Sequence, residues 1–204
     1  MQTRKRNVGI LIFDDVEVLD FCGPFEVFAT TTLPESDRQD SEAKPFNVFT
    51  IAEKADIVKC RGGLLVQPHY TIENHPTLDI LVIPGGFGTR REASNARLLD
   101  WIALQDKTTE LTTSVCTGAF LLAERGLLDN LPATTHWGSL ERLQASHPSI
   151  SVRSGIRYVD NGHIITSAGV SAGIDMSLHV VARLLGEATA LETAKQMEYE
   201  SRIL

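Results

Sequence analysis

The stretch Leu111-Thr112-Thr113-Ser114-Val115-Cys116-Thr117-Gly118-Ala119-Phe120-Leu121-Leu122 decides the fold class. Residues 111–115 form a short strand, and Cys116-Thr117-Gly118 opens an apolar helix over 119–125. Strand passing directly into helix is half of a β-α-β unit, and the alternation recurs on both sides. Upstream, Asn7-Val8-Gly9-Ile10-Leu11-Ile12-Phe13 and Asp79-Ile80-Leu81-Val82-Ile83 are unbroken apolar runs, the composition of strands buried on both faces of a parallel sheet. The second run is closed by Pro84-Gly85-Gly86. Residues 46–52 add a strand, and 57–60 with 64–67, separated by Arg61-Gly62-Gly63, read as a hairpin. A second hairpin spans 156–159 and 163–165, its Asp160-Asn161-Gly162 link signalling a type I′ turn. Gly23-Pro24 sets a proline near the first turn of a helix over 25–29, and further helices fall at 95–107, 171–185 and 187–199. Residues 33–44 are polar and carry a proline, the pattern of an exposed loop. The expected architecture is a single α/β domain over 1–204: a three-layer sandwich around a mostly parallel sheet.

Composition narrows the function. The 204 residues are 43% hydrophobic and 22% charged, enough for a substantial core. Nineteen basic against 26 acidic side chains leave −7, which argues against a general affinity for nucleic acid or an anionic membrane surface. No apolar run approaches the roughly 18 residues of a membrane span, and the N-terminal run is too short for a signal-peptide core, so a cytoplasmic protein is expected. Three cysteines, Cys22, Cys60 and Cys116, show no zinc spacing, and no two of the six histidines are spaced as metal ligands. Neither a metal nor an organic cofactor is expected, and Gly85-Gly86-Phe87-Gly88 is not a dinucleotide fingerprint.

In open parallel sheets ligands bind beyond the carboxyl ends of the strands. Cys116 stands at such an end, where a strand–turn–helix junction presents a nucleophile. The helix N-terminus and the amides of Thr117 and Gly118 are expected to lower its thiol pKa and to steady an anion. The opposing reading of Cys116 is a buried packing cysteine. Asp20, between Leu19 and Phe21, is a carboxyl in apolar surroundings, where burial raises its pKa; otherwise it is a helix cap. Asp14, Asp15 and Glu17 read as solvated loop acids. Gly85 and Gly86 allow a close backbone approach to a ligand. His136, in Thr134-Thr135-His136-Trp137, can orient or deprotonate the thiol, or serve only as a cap.

Five blocks together resemble the ThiJ/PfpI superfamily, whose fold is flavodoxin-like and class I glutamine amidotransferase-like: Asp20 with Gly23-Pro24-Phe25-Glu26-Val27-Phe28, Ile83-Pro84-Gly85-Gly86, Ser114-Val115-Cys116-Thr117-Gly118, Ala133-Thr134-Thr135-His136-Trp137 and Ala172-Gly173-Ile174-Asp175. They run from about residue 7 to 186 in the family's order. Within it the chain is most similar to the isocyanide hydratase branch and to the sensor domains of AraC-type regulators. The regulators add a helix-turn-helix module for which the residues after 186 leave no room, so DNA binding is not expected.

The resemblance to the hydratase branch implies a mechanism. Cys116 attacks the terminal carbon of an isocyanide, Asp20 supplies the proton and then activates water, and Thr117 hydrogen-bonds near the reacting centre. The Gly86 and Thr117 amides hold developing charge, and a formamide leaves. Thr117 stands where protease-like members carry histidine, and no downstream His-x-Glu pair supports glutamine hydrolysis. Two other functions stay open: a ligand- or oxidation-sensing protein in which Cys116 becomes a sulfinic acid, and a glyoxalase or deglycase acting on α-oxoaldehydes. The resemblance further implies a homodimer acting on a small molecule.

Overall fold

The computed structural model describes residues 4–33 and 44–201; of the expected loop 33–44, all but the two end residues lie outside them. In chain order the elements are β1 (Arg6–Leu11), α1 (Val18–Thr30), β2 (Phe46–Ala52), β3 (Val58–Lys59), β4 (Leu65–Val66), β5 (Tyr70–Thr71), β6 (Ile80–Ile83), α2 (Thr89–Glu92), α3 (Ala96–Asp106), β7 (Leu111–Val115), α4 (Gly118–Ala123), β8 (Pro132–Ala133), α5 (Leu140–Ser146), β9 (Ser151–Val152), β10 (Tyr158–Asp160), β11 (Ile164–Ser167), α6 (Ala172–Leu185) and α7 (Glu187–Gln196).

Seven strands form one sheet in the order β10-β11-β7-β6-β1-β2-β5. Every pairing in it is parallel except β10 with β11. The helices flank the sheet in two groups: α1 packs with α6 and α7, and α4 with α2 and α3. Covered on both faces, β6, β7 and β11 are buried along their whole lengths, which is why they read as continuous rather than alternating runs. Of the hydroxyls this buries in β7, Thr113 Oγ1 donates to the Leu81 carbonyl at 3.1 Å, whereas Ser114 Oγ is buried without a hydrogen-bond partner. Among the described residues no helix is long and apolar enough to cross a membrane.

Two expectations need correcting. The first helix begins at Val18, not beside Gly23-Pro24, and carries Pro24 inside it. Its start is set by Glu17, whose extended backbone donates its N–H to the Gly85 carbonyl at 2.9 Å. Packing then holds the helix through the proline. A Cβ on Gly23 would lie 3.0 Å from Ile174 Cγ1, and one on Gly173 would lie 3.6 Å from Pro24, so α1 and α6 approach through two glycines. The second correction concerns the β10–β11 hairpin. Only Gly162 has positive φ there (88°), whereas a type I′ turn needs it at Asn161 too. The Asp160 carboxylate accepts the Gly162 amide at 2.7 Å and fixes that turn instead.

Order in the sheet places the site. The chain turns from β1 to β2 on one side and to β6 on the other, so the loops after β1 and β6 meet at the carboxyl edge. Val16 and Gly86 form an antiparallel bridge between them.

Candidate active site

Cys116 sits between β7 and α4 with φ of 57°, a left-handed conformation that costs about 1–3 kcal/mol for a residue with a side chain. The surroundings enforce it. Its N–H donates to the Ser167 carbonyl at 3.1 Å and its carbonyl accepts the Thr135 hydroxyl at 2.7 Å. The turn also needs Gly118, because a Cβ there would fall 2.1 Å from the Ile83 carbonyl oxygen.

Asp20 enters from the first turn of α1 and is fully buried. The Gly85 amide donates to its Oδ2 at 3.0 Å, while Oδ1 is buried without a hydrogen bond of ordinary geometry. Burial pushes the carboxyl up to about 7; the Gly85 amide, the Cys116 thiol and the Val170 amide beside it pull in the other direction. The raised carboxyl is the one expected from its apolar neighbours. The thiol behaves otherwise: the expected lowering gives way to a rise to about 12, caused first by burial and then by the adjacent Asp20 charge. The Thr117 amide and hydroxyl favour the thiolate but do not outweigh those two effects. Acid and thiol therefore ionise as a pair, the doubly charged state being the disfavoured one.

Thr117 ties the elbow to the loop after β6. Its Oγ1 accepts the Gly86 amide at 3.0 Å and the Thr89 hydroxyl at 3.1 Å. The Gly86 amide is thus engaged, contrary to the expectation that it faces a reacting group; of the two amides expected there, it is that of Thr117 that acts on the sulfur. Gly85 lies at the centre, where a Cβ would come 2.5 Å from the Thr117 nitrogen and 2.9 Å from Asp20 Oδ2. Gly86 has φ of 125° and no room for a side chain against the Asp15 carbonyl. His136 caps a single 3-10 turn over Trp137–Ser139, its Nδ1 accepting the Gly138 amide at 3.2 Å. No hydrogen bond joins it to Cys116, so the capping reading describes its contacts.

Cys116, Thr117, Gly86 and His136 open onto one cavity of about 320 Å³. Eight further residues line it that sequence reading did not single out as site residues: Glu17, Arg61, Phe87, Arg90, Trp137, Gly138, Ser139 and Val170. Glu17 is no free loop acid, since it pairs with Arg61 at 3.1 Å. Phe87 is half exposed between two guanidinium groups, those of Arg61 at 4.4 Å and Arg90 at 5.1 Å from its ring centre. Val170 has φ of 54°, unusual for a β-branched residue, and nothing in its type announces it. Phe87 and Trp137, each adjoining a motif already singled out, carried a signal that could have been used. A larger groove of about 540 Å³ runs between the ends of β1 and β2, lined by Ile12, Glu53 and Asn95 among others, and does not include Cys116. Cys22 is half-buried and Cys60 buried; burial raises both thiols, that of Cys60 to about 11. Among the described residues no group of three or more His, Cys, Asp or Glu side chains is arranged to hold a metal ion.

A buried carboxyl against a cysteine held at positive φ, between a parallel strand and a helix, defines an α/β protein of the cysteine-elbow class. The DJ-1/PfpI family model matches residues 6–183, and the chain belongs to that family. It is 34% identical over 193 residues to an isonitrile hydratase of Pseudomonas putida, covering 95% of this chain and 78% of that protein. It is 24% identical over 195 residues to the HTH-type transcriptional regulator GbdR of Pseudomonas aeruginosa, covering 96% of this chain and 51% of the regulator. The chain thus spans about half the length of that regulator. Among solved structures, a ThiJ/PfpI family protein from Pseudomonas syringae superposes with a TM-score of 0.85 at 29% identity, over 98% of this chain and 77% of that one. DJ-1beta of Drosophila melanogaster shares the fold, with a TM-score of 0.79 at 18% identity over 96% and 99% of the two chains.

Proposed function

We propose that the chain is one catalytic domain that adds water to a small isocyanide, giving an N-substituted formamide, with Cys116 as nucleophile and Asp20 as proton carrier. The observation that carries this is the buried Asp20 carboxyl, raised to about 7 and set against the Cys116 thiol. The 34% identity to an isonitrile hydratase supports the choice of reaction.

The pair enters the reaction with a single proton. The ionised carboxylate takes the thiol proton as sulfur bonds to the terminal isocyanide carbon, and returns it to that carbon, leaving R–N=CH–S–Cys116. Asp20, now ionised, draws a proton from water as its oxygen adds to the same carbon. That proton passes to nitrogen, the C–S bond breaks, and R–NH–CHO leaves with the cysteine restored and one proton again on the pair. The Thr117 amide, beside the sulfur, stabilises the thiolate as it forms and as it leaves. Gly85 holds the acid in place through its N–H and the absence of a side chain. His136 shapes the wall.

The matching regulators favour a second reading, in which the same cavity binds a ligand, or Cys116 is oxidised, without turnover. Loss of an aryl isocyanide, followed in the ultraviolet with wild type beside Cys116→Ala, separates the two. Conversion to the formamide by wild type alone is the expected result. Absence of turnover by both proteins would sink the hydratase, and methylglyoxal is then the substrate that tests glyoxalase chemistry. We further assign the protein to the cytoplasm, as a homodimer without nucleic-acid or membrane partners.

A further inference from the structure

The chain carries −7, yet the mouth of its cysteine cavity is cationic. Arg61 and Arg90 both line it and flank the Phe87 ring. The Arg61 charge is cancelled by Glu17 in the same wall. Arg90 has no such partner. Among the described residues, every arginine other than Arg90, Arg142 and Arg153 lies within 4.0 Å of a carboxylate oxygen. Of those three, Arg90 alone lines the cavity. Arg142 stands on α5, the helix that follows Trp137 and Ser139 of the cavity wall, its guanidinium 4.1 Å from the Phe120 ring centre. Burial first, and then the Arg90 charge, lower its pKa.

Two like charges held near one another without a carboxylate repel, and a protein rich in acids had ample means to neutralise them. A guanidinium left unpaired in a cavity wall, as Arg90 is, supplies donors for a planar anion. Phe87 restrains the Arg90 side chain by stacking, which reduces the entropy lost when an anion binds. The cavity, about 320 Å³, is at the small end of ligand sites and holds one compact molecule reaching from the sulfur to the rim.

We infer that the electrophile taken at Cys116 carries an anionic group, a carboxylate in the first instance, and that Arg90, backed by Arg142, selects for it. The inference deepens the hydratase reading, since it makes the substrate an isocyanide bearing a carboxylate, but the charge preference itself is readable without turnover.

The experiment measures alkylation of Cys116 by iodoacetate and by iodoacetamide, followed at the Cys116 peptide by mass spectrometry. The two reagents share a leaving group and differ in charge. The iodoacetate-to-iodoacetamide rate ratio is compared in wild type, Arg90→Gln, Arg90→Lys and Arg142→Gln at low and high salt. The expected result is a ratio that falls about five- to tenfold in Arg90→Gln, less in Arg142→Gln, is largely kept in Arg90→Lys, and converges at high salt. A ratio equal in wild type and Arg90→Gln overturns the inference. Hydration of 4-isocyanobenzoate and of its methyl ester forms the second arm. If neither is converted while the alkylation ratio still falls, the hydratase reading fails and the anion preference stands. If both are hydrated with no preference for the acid, and the ratio is unchanged, the hydratase stands and the anion preference fails.

Discussion

At the residue scale the behaviour of the site follows from one proton shared by two buried groups. With the carboxyl at about 7 and the thiol at about 12, the singly protonated pair forms as pH rises through about 7. kcat/KM is therefore expected to climb through that region and then level off. Asp20→Asn removes the inflection and lowers turnover by roughly 10²–10⁴; a pH–rate profile of the variant that keeps the inflection would reassign it to another group. The same residue predicts a stability effect. Between 3.8 and about 7 the native protein keeps a proton that the unfolded chain has released, so stability falls as pH rises through that window, by roughly 4 kcal/mol in full. Urea unfolding should find Asp20→Asn gaining on wild type from pH 5 to pH 8; a constant difference at the two pH values would refute it. Asp20 was legible because its neighbours in the chain, Leu19 and Phe21, are apolar. The thiol was not, because its burial and the acid beside it come from β7, α4 and α1 meeting in space, which no local pattern records.

At the scale of elements, the site depends on backbones that approach more closely than side chains permit. Gly85 is the test. Its Cβ would lie 2.5 Å from the Thr117 nitrogen and 2.6 Å from Thr117 Oγ1, so Gly85→Ala must push the loop after β6 away from the elbow. Overpacking of this kind costs about 1–3 kcal/mol, and the Gly85 amide is drawn off the Asp20 carboxyl at the same time. The variant should fold with a lowered Tm and lose at least tenfold in kcat/KM; full activity would show that this contact does not position the acid. The long strands were readable from continuous apolar runs, and the helix expected over 95–107 is α3, which Asn95 caps by accepting the Leu98 amide. The start of α1 was misplaced because a proline is the strongest local cue, and the cue that overrides it, Glu17 bound to Gly85, is tertiary. β5, β8 and β9 have two residues each, too few to show a period of two.

At the scale of the whole molecule, the fold leaves an apolar hairpin without cover among the described residues. The β3–β4 hairpin pairs with itself and not with the main sheet, and it exposes Ile57, Leu64 and Leu65, with Leu65 at 62%. Scattered exposed leucines need no explanation, but a cluster on a two-stranded projection is the composition of an interface. A two-fold axis there would set the same hairpin of two protomers against each other, as closed symmetry requires. The hairpin is also tied to the site: its turn carries Arg61, which pairs with Glu17 and lines the cysteine cavity. A dimer built on this hairpin would be coupled to the cavity through one turn. Leu65→Asp should convert a dimer into a monomer in sedimentation velocity, since a buried, unpaired carboxylate at the interface costs several kcal/mol. It should also raise KM more than it lowers kcat, because Arg61 loses its support while Cys116 and Asp20, on other elements, do not move. A wild type that sediments as a monomer at micromolar concentration would remove the hairpin as the dimer contact. A variant that stays dimeric would move the contact to another face.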